Sequence, residues 1–205
     1  MNFPSKLVEN AVDNLSSLPG IGKRTALRLV LHILNRDKKN VEDFGNSFIN
    51  LINNINYCSE CFSISEHQIC KICSDINRDK SVICIIEDIR VMLAIERTME
   101  FKGVYHVLGG LISPMDGVGP DDLRINELVQ KINGGDIKEI ILALSTTMEG
   151  DTTNFYLFNK LKNSNLKISS IARGISIGDE LEYTDQLTLA TAISSRMPYE
   201  KTLLK

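Results

Sequence analysis

Four cysteines in two closely spaced pairs are the feature that most constrains how this chain can fold. Cys58 and Cys61 form one CxxC pair, Cys70 and Cys73 form a second, and eight residues separate the pairs. Each CxxC turn brings two thiolates to one side, and two such turns complete a tetrahedral set of four sulfur ligands. We therefore predict one structural Zn²⁺ per chain, because four thiolates leave no open position for a catalytic water.

The same cysteines could instead be redox dithiols or unliganded core residues, but two pairs in so short a segment favour a metal site. His67 lies between the pairs, and we expect it at the surface because the ligand set is already complete. Cys84 falls in an apolar stretch and is expected to be a small core residue. The segment is too short to bury a core of its own, so bound zinc should supply most of its folding free energy.

Composition and charge exclude several classes of protein. The 205 residues carry a net charge of -3, so any contact with nucleic acid must come from a local basic site and not from the overall charge. No apolar run approaches the ~20 residues that a membrane-spanning helix needs. The first residues lack the basic and then apolar layout of a secretory signal. We therefore expect a cytoplasmic protein without membrane association, whose five cysteines are poor candidates for disulfides.

The N-terminal part of the chain, up to about residue 56, has the periodicity of helices. Apolar residues recur at helical spacing from Val8 to Leu15, and a third helix is predicted around residues 44–55. The helix between them, residues 23–34, is apolar on more than one side. Such a helix must be covered on more than one side, so we expect a second subunit to bury part of it.

A glycine-containing turn joins the first two of these helices. Its sequence is Leu18-Pro19-Gly20-Ile21-Gly22, and Lys23, Arg24 and Arg28 follow it. Two glycines let a backbone come close to a ligand, and a helix N-terminus presents unpaired N–H groups that suit a phosphate. Arg24 and Arg28 are spaced i, i+4 and so share one helix face. This is the helix-hairpin-helix pattern of sequence-independent DNA binding, and we predict that these three basic residues contact the DNA backbone.

Two other interpretations of this turn are available. One is an ordinary connection between helices with solvated basic residues, which the combination of LPGIG with three basic residues disfavours. The other is a P-loop, which is excluded because the interval from Gly20 to Lys23 is too short for GxxxxGK and no strand precedes it.

From about residue 80 onward, strand-like and helix-like stretches alternate. Strands are predicted at residues 81–86, 104–108, 139–144 and 167–171, and helices at residues 91–99, 125–132 and 153–161. The segment Gly119-Pro120-Asp121-Asp122 is expected to begin the second of these helices. The alternation predicts an α/β domain with a mostly parallel sheet.

Carboxylates follow two of the predicted strands. Glu87 comes directly after the first, and Glu149 and Asp151 lie in the loop expected after the third. The carboxyl ends of parallel strands share one edge of a sheet, where three carboxylates can hold a divalent cation such as Mg²⁺. This is the layout of a toprim domain, whose catalytic members use Mg²⁺ to act on phosphodiester bonds. The alternative is that these carboxylates never meet a metal, and the sequence shows no obvious partner nucleophile.

Taken together, these motifs resemble the RecR family of bacterial recombination mediators over nearly the whole chain. After the LPGIG turn and the cysteines, further segments follow in the family's order: LAIERT at 93–98, YHVLGG at 105–110, GPDDL at 119–123, TMEGD at 147–151, ARG at 172–174 and GDELEY at 178–183. One departure is Ser145, where relatives usually carry Asn. A hydroxyl offers fewer hydrogen bonds than an amide, so this part of the acidic loop departs from the family pattern.

The resemblance implies a multidomain α+β protein with four parts. These are a helical helix-hairpin-helix domain (residues 1–56), a small four-cysteine zinc finger (57–79), an α/β toprim domain with a mostly parallel sheet (80–174) and a helical C-terminal segment (175–205). It also implies a ring-like homo-oligomer, either a dimer or a tetramer.

The function implied by the resemblance is recombinational DNA repair. Family members act with RecO, and in some settings RecF, to load RecA onto single-stranded DNA, and they are not known as enzymes. Arg24 and Arg28 match positions implicated in DNA binding, with Lys23 a weaker candidate, and the toprim carboxylates would form an acidic docking surface for RecO. Such a protein would associate with the nucleoid during repair. The residues alone leave two alternatives open: a Mg²⁺-dependent phosphodiester enzyme that uses the three carboxylates, and an adaptor that binds only proteins.

Overall fold

The computed structural model describes residues 5–164 and 166–202, and the chain divides after Ile55 into two compact units. The first unit comprises the helices α1 (Lys6–Ser16), α2 (Lys23–Leu34) and α3 (Lys38–Asn54). The hydroxyl of Ser5 accepts a hydrogen bond from the N–H of Leu7 and so caps α1. α1 and α2 pack through a small core of Val12, Ala26 and Val30. The predicted second helix, residues 23–34, is confirmed.

The apolar faces of α2 and α3 are only partly covered within this unit. Ala26 and Val30 are the buried residues of α2, and α3 has no buried residue over the described range. The side chains left exposed on these two helices are large and apolar: Leu31, Leu34, Phe44, Phe48, Ile49, Leu51 and Ile52. α3 begins at Lys38, earlier than predicted, because its polar first turn carries no apolar periodicity.

The second unit begins with an antiparallel hairpin of β1 (Asn56–Tyr57) and β2 (Ile64–Ser65), followed by the single helical turn α4 (Lys71–Ser74). A parallel sheet follows, in the order β4-β3-β5-β6, formed by β3 (Asp79–Ile86), β4 (Gly103–Val107), β5 (Glu139–Ala143) and β6 (Lys167–Ser170). Its helices are α5 (Ile89–Arg97), α6 (Ile125–Gly134), α7 (Met148–Leu161) and α8 (Gln186–Ser194). Short 3-10 turns lie at Pro114–Asp116, Pro120–Asp122, Leu181–Tyr183 and Tyr199–Thr202. Of the helices that the structure describes, none combines the length and the hydropathy that crossing a membrane would require.

The inner part of the parallel sheet is buried on both faces, as its apolar strands predicted, whereas β6 has no buried residue. Ile83 and Ile85 of β3 point to one core, which α6 and α7 cover with Leu128 and Leu157. Cys84 and Ile86 point to the other face, which holds Met92 of α5, Tyr105 and Val107, with Phe62 and Ile72 of the cysteine-bearing segment packed against them. The predicted fold class is confirmed: a helical N-terminus, a four-cysteine module, a parallel α/β domain and a helical C-terminal segment.

Two predicted helix starts in this unit are wrong. Gly119–Asp122 does not begin α6, because the Asp122 carboxylate accepts from the N–H of Gly119 at 2.8 Å and closes a separate 3-10 turn; α6 starts at Ile125. α7 starts at Met148 and not at residue 153, with Thr147 as its N-cap. Glu149 and Asp151 therefore lie in the first turn of a helix and not in a loop.

A mostly buried ion pair joins the exit of the cysteine-bearing segment to the sheet. Arg78 donates from Nη1 and Nη2 to the two carboxylate oxygens of Glu96, at 2.9 and 2.5 Å, and the Tyr105 hydroxyl donates to Glu96 at 2.7 Å. Arg78 also donates to the backbone oxygens of Phe101 and Gly103. A two-point guanidinium–carboxylate contact fixes orientation as well as distance, so this group sets where β3 enters the sheet.

His106 is a titratable group held inside the core. It is fully buried in β4 against the ring of Phe62, and its Nε2–H donates to the backbone oxygen of Arg124 at 2.7 Å. Nδ1 is also buried and has no hydrogen-bond partner among the described residues. Because a buried imidazolium would lose its hydration, the pKa of His106 is lowered from 6.5 to about 4. The folded protein therefore requires the neutral ring.

Acidification should destabilise the protein through His106. The unfolded chain takes up the proton near pH 6.5 and the folded chain only near pH 4, so stability is full above pH 6.5 and is lost as the pH falls toward 4. At pH 5.5 the loss should be about 1.4 kcal/mol, the value of one pKa unit. Urea unfolding at pH 7.5 and 5.5 should show a larger loss in wild type than in His106→Gln. Both proteins keep their cysteines, so an equal loss in the two would contradict the prediction.

Candidate metal centre and nucleic-acid interface

The four cysteines meet in one buried cluster. Their Sγ atoms all lie within 4.8 Å of one another, and among the described residues this is the one set of three or more potential metal ligands at such spacing. Cys61 Sγ and Cys70 Sγ are 3.6 Å apart, near the roughly 3.8 Å edge of a tetrahedron with Zn–S bonds of about 2.3 Å. The N–H groups of Cys70 and Cys73 point to Cys58 Sγ and Cys70 Sγ at 3.3 and 3.4 Å. The sulfurs are thus poised to bind a metal ion.

The thiols of the cluster do not ionise together when no metal is bound. The pKa of Cys61 is lowered to about 5, first because the Cys73 thiol hydrogen-bonds to it and further because the Ser63 hydroxyl lies 3.2 Å away. The pKa of Cys73 is raised by the same hydrogen bond and by burial. The pKa of Cys70 is raised, chiefly by burial. Four thiolates in one buried site need a cation to offset their repulsion, which a zinc ion supplies.

The cysteine cluster is docked on the sheet through Phe62. This residue has a left-handed φ of 62°, which a bulky side chain adopts only when its surroundings hold it there. Its ring packs edge-on against His106 at 5.4 Å, and the Arg124 guanidinium lies 5.1 Å from the ring centroid on another side. The N–H of Val107 donates to the backbone oxygen of Cys61 at 2.9 Å. The metal-binding segment is therefore part of the core of the second unit.

The remaining cysteine and the histidine of the segment are where the sequence predicted them. Cys84 is buried in the sheet, where burial raises the pKa of its thiol to about 12. His67 is exposed between the two pairs and is not part of the cluster.

The turn between α1 and α2 leads into a helix N-terminus that no side chain caps. Gly20 has a φ of +78°, which favours glycine, and Gly22 is the N-cap residue of α2. Because glycine has no side chain, no side-chain hydrogen bond caps the helix. The first N–H groups of α2 therefore carry the partial positive charge of the helix N-terminus without a competing acceptor from the N-cap.

The three predicted basic residues lie in the first two turns of α2, and all are exposed. Lys23 Nζ lies 3.5 Å from the Asp13 carboxylate of α1, which offsets part of its charge. Within residues 5–164 and 166–202, neither Arg24 nor Arg28 has a carboxylate within ion-pair distance. The two arginines therefore provide the uncompensated positive charge at this turn.

The predicted acidic residues share one edge of the sheet but do not form one cluster. β3 and β5 are neighbours in register, with Ile86 opposite Ala143, so their carboxyl ends lie side by side. Glu87 follows β3, and Glu149 and Asp151 follow β5 in the first turn of α7. Their carboxylates nevertheless do not come within 4.8 Å of one another as a set.

A close contact with the backbone of Ser145 accounts for the presence of Gly150 in the first turn of α7. A Cβ at this position would lie 1.9 Å from the backbone oxygen of Ser145 and 3.1 Å from its Oγ. Only glycine allows this approach, and the Thr147 hydroxyl accepts from the Gly150 N–H at 3.2 Å. The contact folds the chain after β5 back into α7 and sets the positions of Glu149 and Asp151. Ser145 is therefore the residue against which α7 begins.

Two arginines bind carboxylates at this edge. Arg173 follows β6 and forms an ion pair with Asp151, so that the pKa of the Asp151 carboxyl is lowered by the hydrogen bond from Arg173. Asp88 caps α5 and also pairs with Arg90, with Nε to Oδ2 at 2.7 Å. The hydrogen bond from Arg90 lowers the pKa of Asp88.

These partners were not predicted, although two of the sequence motifs contain them. Arg173 lies in the ARG motif and Glu96 in the LAIERT motif, but neither was assigned a partner. The Asp88 cap had a visible signal, an aspartate directly before an apolar helix. The pairs of Arg78 with Glu96 and of Asp151 with Arg173 are distant in sequence and have no local signal.

Comparison with known proteins agrees with this geometry. Family models match four consecutive segments: the RecR helix-hairpin-helix at residues 8–50, the RecR four-cysteine zinc finger domain at 55–75, the Toprim domain at 81–172 and the RecR C-terminal segment at 174–197. The zinc-finger match and the clustered cysteines together support a bound zinc ion.

Several curated relatives are similar over nearly their whole length. The recombination protein RecR of Bacteroides thetaiotaomicron is 55% identical, with 98% of each chain covered. Those of Cytophaga hutchinsonii and Flavobacterium johnsoniae are 56% and 53% identical, again with 98% of each chain covered. An identity of this level across all four segments shows the family and not merely the fold. The chain belongs to the RecR family of recombination proteins.

Proposed function

We propose that this chain is a DNA-binding scaffold of recombinational repair, which acts at the nucleoid with RecO, and in some settings RecF, to help load RecA onto single-stranded DNA. The observation that carries the proposal is the turn between α1 and α2, where an uncapped helix N-terminus and two uncompensated arginines occur together. Backbone N–H groups and guanidinium groups both bind phosphate oxygens and carry no base specificity. Binding of this kind suits a protein that must act at any sequence.

The local basic site fits a chain whose net charge is -3. The overall field repels DNA weakly, so attraction depends on the few cations placed at the contact. Arg24 and Arg28 lie on one face of α2, whereas Lys23 is drawn toward Asp13. We therefore assign the main phosphate contacts to the arginines and a smaller contribution to Lys23.

Replacing both arginines should flatten the salt dependence of DNA binding. Each lost phosphate contact on single-stranded DNA removes about 0.7 from the slope of log K against log salt, so Arg24→Ala/Arg28→Ala should lose about 1.4. Fluorescence anisotropy of labelled oligonucleotides across a salt series measures the slope. The matched control is Lys38→Ala/Lys39→Ala, which removes two exposed charges from the start of α3. If the arginine variant keeps the wild-type slope, DNA is bound elsewhere or only through partners.

We further propose that one Zn²⁺ per chain is bound by Cys58, Cys61, Cys70 and Cys73, and that its role is structural. Four buried sulfurs at tetrahedral spacing support this assignment, because they leave no open position for substrate or water. The docking of Phe62 against the sheet implies that loss of zinc also loosens the second unit.

Removing one sulfur ligand should lower both zinc content and stability. Cys70→Ser should purify with well under one zinc per chain and unfold at a lower temperature, because three thiolates bind zinc more weakly than four. Cys84→Ala is the control, since that buried thiol lies in β3 of the same unit but outside the cluster. Metal analysis and thermal unfolding of both variants make the comparison. A zinc content near one in Cys70→Ser would contradict the assignment of that ligand.

We propose that the chain works as a ring-like homo-oligomer. The support is the set of large apolar side chains left exposed on α2 and α3, among them Leu34, Phe48 and Ile52. Large apolar side chains exposed on two consecutive helices are typical of a protein–protein interface. Several helix-hairpin-helix turns on one ring would bind DNA together and raise the effective concentration of each contact.

We propose that the acidic edge is a docking surface for RecO and performs no catalytic step. Glu149 supports this role, because its side chain is exposed at the N-terminus of α7 and the three carboxylates do not converge on a common point. Charges at the rim of an interface chiefly steer association and discriminate among partners.

Glu149→Ala should weaken RecO binding and leave DNA binding unchanged. Loss of one exposed charge contact should cost about 1 kcal/mol, roughly a fivefold change in dissociation constant. The control is Glu100→Ala, an exposed glutamate that precedes β4 at the opposite edge of the sheet. Calorimetry with purified RecO and anisotropy with DNA separate the two activities. Equal RecO affinity in both variants would argue against the docking surface. If the wild-type protein nicks DNA in the presence of Mg²⁺ and Glu149→Ala does not, the result would favour an enzyme.

A further inference from the structure

The ion pair between Asp151 and Arg173 occupies the side of the toprim edge where a metal ion would be expected. Arg173 Nη2 donates to one carboxylate oxygen of Asp151, and Nη1 lies 3.4 Å from the other. The guanidinium thus faces both oxygens of the carboxylate. A divalent cation would use these same oxygens.

The neighbouring strand end carries a second pair of the same kind. Arg90, in the first turn of α5, pairs with Asp88, the residue that follows Glu87. Arginines therefore reach the acidic edge from both of its sides, one from α5 and one from the chain after β6. Their fixed positive charges oppose the approach of a dication from solvent.

The carboxylates do not fit Mg²⁺. Magnesium requires oxygen ligands in a nearly octahedral arrangement at about 2.1 Å, which places ligand oxygens roughly 3 Å apart. Glu87, Glu149 and Asp151 do not approach even to within 4.8 Å as a set. One of the three is already bound by a guanidinium, so a metal would have to displace Arg173 as well as draw the carboxylates together.

We propose that Arg173 is the resident counter-cation of this toprim edge and that its guanidinium excludes divalent metal from Asp151. The side chain acts as a positioning residue: it neutralises Asp151 and leaves Glu149 as the exposed anion of the edge. The pair lies at the surface, with about half of each side chain exposed (43% for Arg173 and 54% for Asp151). Exposed ion pairs add little to stability, so replacement of Arg173 should leave the protein folded. The role of Arg173 is to neutralise the Asp151 carboxylate and to occupy the position that a metal ion would take.

Removing the guanidinium should create an affinity for divalent cations. Even in bulk water, a unit positive charge about 4 Å from a dication repels it strongly enough to weaken its binding about 30-fold. The probe is Mn²⁺ added to zinc-loaded protein, with free Mn²⁺ measured by electron paramagnetic resonance and competition by Mg²⁺. Wild type should bind Mn²⁺ weakly, and Arg173→Gln should bind it at least about tenfold more tightly.

Two matched variants distinguish this role from a structural one. Arg173→Lys keeps the positive charge and should bind Mn²⁺ as weakly as wild type. Arg173→Gln/Asp151→Asn removes the carboxylate as well and should lose the gained affinity. Zinc content and circular dichroism establish that each variant is folded. A folded Arg173→Gln protein that gains no Mn²⁺ affinity would overturn the proposal, as would a double variant that keeps the gain.

If the variants do not fold, the wild-type protein alone can test whether a metal ion displaces the Arg173 guanidinium. Its Arg173 Nε–H resonance should stay unchanged as Mg²⁺ is added to about the millimolar range in which weak protein sites fill. A saturable shift of that resonance, with Mg²⁺ binding in the same range, would show that metal displaces the guanidinium and would refute the proposal. None of these measurements involves DNA or RecO, so their outcome is independent of the proposed function.

Discussion

The buried set of four thiols is the constraint on which the second unit depends. A segment this short has almost no apolar core, and the thiolates that a metal needs would repel one another if they were buried without it. A bound dication would offset that repulsion and stabilise the hairpin in the shape that sets Phe62 against His106. The backbone oxygen of Cys61 then meets the N–H of Val107, so the metal site and β4 are held by the same contacts. The zinc finger acts as one wall of the toprim core, and its loss would expose the sheet that it covers.

At the acidic edge, the elements that carry the carboxylates also bring positive charge beside them. Asp88 caps α5, and Glu149 and Asp151 lie in the first turn of α7, so both helix N-termini place partial positive charge beside carboxylates. Arg90 and Arg173 add full charges at the same two points. The elements that position the carboxylates thus also neutralise part of their charge. Glu149 is exposed and, among the described residues, has no arginine partner.

Local patterns predicted most of the fold, and contacts between distant residues account for what was missed. The cysteine spacing, the apolar strands and the helix at residues 23–34 are local signals, because each depends on neighbours in sequence. The start of α7 was missed because glycine weighs against a helix, and the contact that favours Gly150 there is with the Ser145 oxygen. The partner of Asp151 was missed for the same kind of reason. Arg173 is distant in sequence and lies beside Asp151 only because β6 pairs with β5. The sequence therefore predicted that these carboxylates share one edge of the sheet, but not the contacts that hold them there.

Glycine at the N-cap of α2 illustrates a balance between stability and binding. A serine or aspartate at this position would cap the helix with its side chain and use the N–H groups that a phosphate needs. Gly22 leaves those groups open, and relative to a good cap it costs only a few tenths of a kcal/mol. The packing of Val12 against Ala26 and Val30 stabilises the helix pair without help from the cap. The first unit can therefore keep an unsatisfied helix end facing solvent, which is the feature that a backbone-binding site requires.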